Sequence, residues 1–186
     1  MSAPAAAQRV AGDLELLPAA EHPHLLPEAV RAALPEGAWT LEIDPGLADT
    51  QALVDAAHVP LDGSANCVVV AGKRDGEERV AACVVLASTR ADVNGAVKKV
   101  LDVRKASFLP MDRAVEESGM EFGGITPVGL PGGWRVLVDT RVAGSEWVLI
   151  GSGVRRSKLV VRGADLAALP GAEVVDIAMT PPVAST

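Results

Sequence analysis

Two glycine-dense loops hold the residues of this sequence best suited to chemistry. The first runs from Gly119 to Gly129 as GMEFGGITPVG. Glycines let a backbone approach a ligand closely and turn several N–H groups one way, and Pro127 stiffens the exit. Such a loop can hydrogen-bond a carbonyl oxygen or an oxyanion. One donor of that kind contributes roughly 2.7–4 kcal/mol to a hydrolytic transition state. The second loop, Gly151 to Arg156 as GSGVRR, follows a strand-like run and can present N–H groups and a guanidinium to a phosphate. Taken alone, each also reads as an ordinary surface turn.

Other kinds of site are not suggested. The sequence has no GxSxG, no phosphate-binding Walker loop, no HExxH and no dinucleotide GxGxxG. His22, His24 and His58 and the two cysteines show no ligand spacing beyond His22-Pro-His24, so no metal and no cofactor is expected. Cys67 and Cys83 sit inside apolar, strand-like runs and read as buried reduced thiols, which could be bridged only if their strands are neighbours.

The charge balance limits the partners. A net charge of −7 argues against strong non-specific nucleic-acid binding, and DNA is not expected as a partner. Residues 1–62 carry ten acidic and two basic side chains, while the remainder is near neutral with basic clusters at Lys73-Arg74, Lys98-Lys99, Arg104-Lys105 and Arg155-Arg156 with Lys158 and Arg162. One such cluster facing a pocket suffices to hold a terminal nucleotide, though not a long duplex. No N-terminal h-region and no run of roughly 18 apolar residues is present, so a cytoplasmic protein without membrane contact is expected.

The elements that must position these loops are short. Residues 1–22, rich in Ala and Pro, read as a poorly ordered extension, 23–180 as one domain and 181–186 as a tail. Helices are expected over Pro27–Leu34, Leu47–His58, Thr89–Leu101 (with Asp92 near its start as a cap), Met111–Ser118 (ended by Gly119) and Ala164–Leu169. Strands are expected over Trp39–Ile43, Asn66–Ala71, Arg79–Ala87, Arg104–Leu109, Arg135–Asp139, Trp147–Gly151, Lys158–Val161 and Glu173–Ile177. Asp75-Gly76 between two valine-rich runs signals a hairpin. This order has no strict βαβ rhythm and predicts an α+β fold, with a mixed, partly curled sheet flanked by short helices.

In this order and spacing the pieces resemble the YbaK and prolyl-tRNA-synthetase editing-domain family. GMEFGGITPVGLP is similar to the family's G-x-x-x-GG-[IV]-[ST]-P-x-G signature, VLVDTRV to its following strand with a central aspartate, and VLIGSGVRRSKLVVRGADL to its [SG]-x-G-x-R segment. ANCVVVAGKRDGEERVAACVVLAS resembles the K-T-L-V-V strand and hairpin, and ADVNGAVKKVLDVRKASF with MDRAVEESG the next helix, strand and helix. The resemblance covers about residues 40–178.

The resemblance implies hydrolysis of the ester between a wrong amino acid and the tRNA 3′ adenosine, by a freestanding deacylase with neither metal nor covalent nucleophile. Partners would be the aminoacyl-tRNA 3′ end and, for delivery, a tRNA synthetase. Gly123, Gly124, Thr126 and Pro127 fall on the substrate-cradling loop. Gly151, Ser152, Gly153 and Arg155 fall on the second loop bordering the same cleft. Where the family's strand opens with a lysine, this sequence has Asn66, which donates and accepts hydrogen bonds without charge. Asn66 reads either as a residue orienting the terminal ribose or as the start of a strand, and Arg155 as a surviving cation. Asp139 reads either as a turn cap or as a pocket acid. The rival to the deacylase is a catalytically inactive family member that binds a ligand, an RNA end or a protein.

Overall fold

A computed structural model describes residues 2–180; the expected tail 181–186 lies outside the described residues. Eleven strands and seven α-helices are described: α1 (Ala5–Ala11), β1 (Leu17–Pro18), α2 (Glu28–Ala32), β2 (Trp39–Glu42), α3 (Thr50–Ala57), β3 (Ala65–Arg74), β4 (Glu77–Leu86), β5 (Arg90–Ala91), α4 (Lys98–Leu101), β6 (Ala106–Phe108), α5 (Met111–Ser118), β7 (Arg135–Asp139), α6 (Thr140–Ala143), β8 (Val148–Gly151), β9 (Ser157–Val161), α7 (Gly163–Ala167), β10 (Ala172–Val175) and β11 (Ala178–Met179). The α+β class expected from the element order is the class observed.

Strands gather into a five-stranded mixed sheet ordered β10-β7-β4-β3-β6 and a four-stranded antiparallel sheet ordered β1-β2-β9-β8, with β5 and β11 paired alone. A single bridge, Ser64 to Leu149, joins the two larger sheets. The β3–β4 hairpin is built as its turn chemistry dictates. Asp75 and Gly76 both have positive φ, 51° and 84°, the pair of conformations a type I′ turn needs to match strand twist. The register from Ala65↔Leu86 to Arg74↔Glu77 then follows.

Layers explain the valine-rich composition. Val84, Val136 and Val138 of the larger sheet pack on Val148, Ile150, Leu159 and Val161 of the smaller one. The far face of the smaller sheet (Leu41, Leu149, Val160) is covered by α1 and α3, and the far face of the larger (Ala81, Cys83, Leu137) by Val97 and Leu101. Strands buried on both faces read as continuous apolar runs, which is why VAACVV and KLVV lack alternation.

Two expectations change, and the cysteines are as expected. The segment expected to be a poorly ordered extension contains α1, which buries Ala7, Val10 and Ala11 against the α3 side of the smaller sheet. Small alanines let a short helix lie close, and burial supplies the stability that its seven residues lack. The helix expected over Thr89–Leu101 begins later. Arg90 and Ala91 pair with β11, Asp92 accepts from the Gly95 and Ala96 N–H groups, and a π-turn over Val93–Val97 leads into α4. Cys67 and Cys83 do lie on neighbouring strands, yet Cys67 pairs with Val84 and Cys83 with Val68, so their side chains leave opposite faces of the hairpin and both are free. Burial pushes the Cys83 thiol up to about 12 and the Cys67 thiol up as well, so neither is a ready nucleophile. Among the described residues no helix is long and apolar enough to cross a membrane.

Candidate active site

A cavity of about 540 Å³ opens between α3, the start of β3, the end of β8 and the loop after α5. That volume lies within the range of small-molecule sites. Its wall brings together residues far apart in sequence: Asp49 and Thr50, Asn66 and Cys67, Gly123 and Ile125, Gly151 and Lys158.

The first glycine loop forms one wall because the second holds it there. Glu121 N–H donates to the Gly153 carbonyl at 2.9 Å, Gly153 N–H to the Gly124 carbonyl at 2.7 Å, and Gly124 N–H to the Glu121 carbonyl at 2.9 Å. Gly151 makes this contact possible, since a Cβ there would lie 2.5 Å from the Gly124 carbonyl oxygen. Phe122, Gly123 and Ile125 are the loop residues on the cavity wall, and among the described residues the N–H groups of Gly123 and Ile125 have no acceptor. Gly123 has φ +81°, and a Cβ there would meet the Arg155 guanidinium at 2.9 Å. Two unpaired backbone donors beside a cavity are the elements of an oxyanion site.

Arg155 fastens this wall rather than lining it. Its backbone N–H donates to the Glu121 carboxylate, and its guanidinium donates to the Phe122 carbonyl at 3.1 Å and the Pro45 carbonyl at 2.8 Å. Ser152 is buried, donating to the Ser157 carbonyl and sharing a 2.8 Å contact with its hydroxyl. Gly124, Thr126, Pro127, Ser152, Gly153 and Arg155 therefore lie behind the wall, while Asn66, Gly123 and Gly151 lie on it. Asp139 is not on the wall and is a cap. Its buried carboxylate accepts from Arg141 N–H at the start of α6 and from the Ile177 and Ala178 N–H groups, and pairs with the Arg141 guanidinium. Four donors converge on it, which accounts for its burial without a pocket role.

Asn66 has a definite partner. Thr50 Oγ1 donates to its side-chain oxygen at 2.8 Å, which leaves the amide N–H groups to the cavity. Lys158 is the residue that sequence reasoning missed. It sits in β9, is 6% exposed, lines the cavity and donates from Nζ to the Ala48 carbonyl at 2.7 Å. Burial lowers its pKa to about 8, opposed by Asp49 and reinforced by Arg155. Lys158 and Asp49 are the charged residues of the wall, and Asp49 is occupied in capping α3 through the Gln51 and Ala52 N–H groups. The available signal was a lysine inside a strand otherwise made of Ser, Leu and Val.

The mouth is apolar. Leu61, Met111, Phe108 and Phe122 line it and are all exposed, Phe108 by 62% and Phe122 by 57%. The chain has two phenylalanines, and both stand at this opening.

Comparison with known proteins bears on this site. Residues 44–169 match the family described as the aminoacyl-tRNA editing domain. A solved structure described as "a putative trans-editing enzyme for prolyl tRNA synthetase" is similar with a TM-score of 0.69 and 18% identity, covering 96% of this chain and 99% of that one. A hypothetical protein is similar with a TM-score of 0.66 and 21% identity, covering 75% and 90%. A third structure, from Marinobacter aquaeolei VT8 and described as "a putative signal transduction protein", has a TM-score of 0.54 and 21% identity, covering 83% of this chain and 31% of that one. At these identities the structural likenesses speak to the fold.

Proposed function

The chain belongs to the aminoacyl-tRNA editing domain family, and on that premise we propose that it is a trans-acting deacylase, hydrolysing the ester of a mischarged tRNA in the cytoplasm. One observation carries the reading. A single cavity joins unpaired Gly123 and Ile125 N–H groups, the free amide of Asn66 and a mouth bearing both phenylalanines.

The chemistry asks little acid–base machinery of the protein. Water adds to the acyl carbon, the bond from that carbon to the ribose oxygen breaks, the ribose oxygen takes a proton and the amino acid leaves. The adjacent ribose hydroxyl can position the water or carry the proton. The chain's share is to hold the ester, stabilise the developing oxyanion and exclude the correct amino acid by size. Gly123 and Ile125 face the acyl oxygen, Asn66 the terminal ribose, and Phe108 and Phe122 offer ring faces on which terminal bases stack. Gly124, Thr126, Pro127, Gly151, Ser152, Gly153 and Arg155 keep the wall in place. A structure of matching length described as a trans-editing enzyme for prolyl tRNA synthetase supports the trans-acting assignment, and a synthetase is the delivering partner in this proposal.

The rival, a binding module without catalysis, draws on one observation: the cavity's carboxylate, Asp49, is committed to capping α3, so no uncommitted carboxylate lines the wall. Single-turnover hydrolysis of a panel including alanyl- and cysteinyl-tRNAPro separates the two. Hydrolysis above buffer, lost in Asn66→Ala, is expected. A wild type inert on every substrate, with and without synthetase, would leave the binding module standing.

A further inference from the structure

Lys158 is buried in a way that its structural role does not explain. An ammonium carries three donors, and among the described residues only one has an acceptor, the Ala48 carbonyl at 2.7 Å. It forms no ion pair there, so the cost of taking the charge out of water is poorly offset. An apolar residue, as at the neighbouring positions Leu159 and Val160, would serve the strand better.

Its place in the ladder says what it faces. Lys158 pairs with Gly151, and paired residues of neighbouring strands project from the same face. On that face the missing side chain of Gly151 admits the Gly124 and Ile125 carbonyls. The ammonium and the loop residues Gly123 and Ile125, whose N–H groups are unpaired, line one and the same cavity. A phosphodiester enters by the mouth, whereas a group this deep meets the small acyl end of a bound ester.

We propose that Lys158 is a catalytic cation of this site, gripping the acyl oxygen of the ester as it becomes an oxyanion. The inference rests on the deacylase reading above. Lys158 keeps its proton throughout. Water supplies the oxygen that adds to the acyl carbon, the oxyanion is held by the ammonium, and its collapse expels the ribose oxygen. An ammonium gains more from an oxyanion than from a neutral carbonyl, so the interaction favours the transition state over the bound substrate. Asp49 at the start of α3 and Arg155 in the loop before β9 are the charged groups that act on it; β8 contributes none, and the Cys67 thiol of β3 stays neutral.

The test uses adenosine 3′-(1-aminoethyl)phosphonate, a tetrahedral anion shaped like the alanyl-ester transition state, with adenosine as control. Calorimetric Kd values are measured for wild type, Lys158→Met and Lys158→Arg, with melting temperatures to show that each variant is folded. Loss of one charge-assisted hydrogen bond predicts binding of the phosphonate about 30-fold weaker in Lys158→Met, within a few-fold of wild type in Lys158→Arg, and adenosine unchanged. A folded Lys158→Met that binds the phosphonate like wild type, or a wild type that does not bind it, overturns the inference. Lysine-dependent phosphonate binding without hydrolysis of any mischarged tRNA sinks the deacylase reading and the catalytic role with it, leaving Lys158 an anion-binding group. Equal hydrolysis by wild type and Lys158→Met sinks the inference alone.

Discussion

The two glycine loops have similar composition and different work. In the loop from Gly119 to Gly129, the N–H groups of Gly123 and Ile125 are left without acceptors at the cavity. In the loop from Gly151 to Arg156, Ser152 and Gly153 are buried, the Ser152 hydroxyl and the Gly153 N–H and carbonyl are paired, and Arg155 is spent on two carbonyls of neighbouring loops. Glycine in the first keeps backbone donors accessible; in the second it allows two loops to touch. On the deacylase reading chemistry depends on the first loop, and the hydrogen bonds between the loops make its shape depend on the second.

The sharpest way to break the comparison is to push the loops apart. Gly151→Ala places a Cβ 2.5 Å from one backbone oxygen and 2.6 Å from another, neither of which can rotate away. A loss on the order of 3 kcal/mol in stability, read by denaturant unfolding, is expected together with loss of hydrolysis. Unchanged stability would mean that the loops do not form one body.

Next in size is an expected gain. Lys158 has its pKa lowered from 10.5 to about 8, so its charged form is disfavoured by folding. The sign follows from proton uptake: between about pH 8 and 10.5 the unfolded chain binds the extra proton, and stability rises with pH through that window. Lys158→Met removes this cost. It should stabilise the protein by about 2 kcal/mol at pH 7, after allowing for the lost Ala48 hydrogen bond, and this gain should disappear as pH rises from about 8 to 10.5. A pH-independent difference in unfolding free energy would refute it.

A smaller effect is expected where the second loop fastens the first. Arg155→Met unties the Phe122 and Pro45 carbonyls, although Arg155 does not itself line the cavity. Single-turnover rates should fall about tenfold, short of the roughly 100-fold that a full 1 Å misplacement can cost, while phosphonate affinity and rate fall together. A rate equal to wild type would detach Arg155 from the site. Smallest of all are the mouth residues. Phe108→Ala and Phe122→Ala should each weaken binding of a short RNA ending in adenosine by about 1 kcal/mol, the lower end for base–aromatic stacking. Both are exposed, so melting temperatures should hold. Weakening of stability rather than binding would return them to a packing role.

Legibility in the sequence followed the range of the interactions. The β3–β4 hairpin, α5 with its Gly119 end, β7 and the Asp92 cap are specified by neighbours in the chain, and each was expected where it occurs. The N-terminal helix α1 was not, because its alanines gain their stability from α3 and the smaller sheet rather than from one another. Asp139 stood open between cap and pocket acid; its partners Ile177 and Ala178 come from almost forty residues away, and no local pattern reveals them. Lys158 was hidden by its neighbours. Beside Arg155 and Arg156 it reads as part of a basic surface cluster, although Arg156 is exposed and Lys158 is buried two residues on.

By itself, then, the sequence determined the α+β class, the hairpin, the two glycine loops and the resemblance that pointed to an editing domain, since turn chemistry, strand runs and motif spacing are written in consecutive residues. Tertiary structure alone decided which loop lines the cavity, that Asn66 is oriented by Thr50, that both phenylalanines meet at one mouth, and that the cation of the site stands on β9. The reason is physical: a wall is made by residues that strand register and loop docking bring together, and the free energy that selects it belongs to the packed whole.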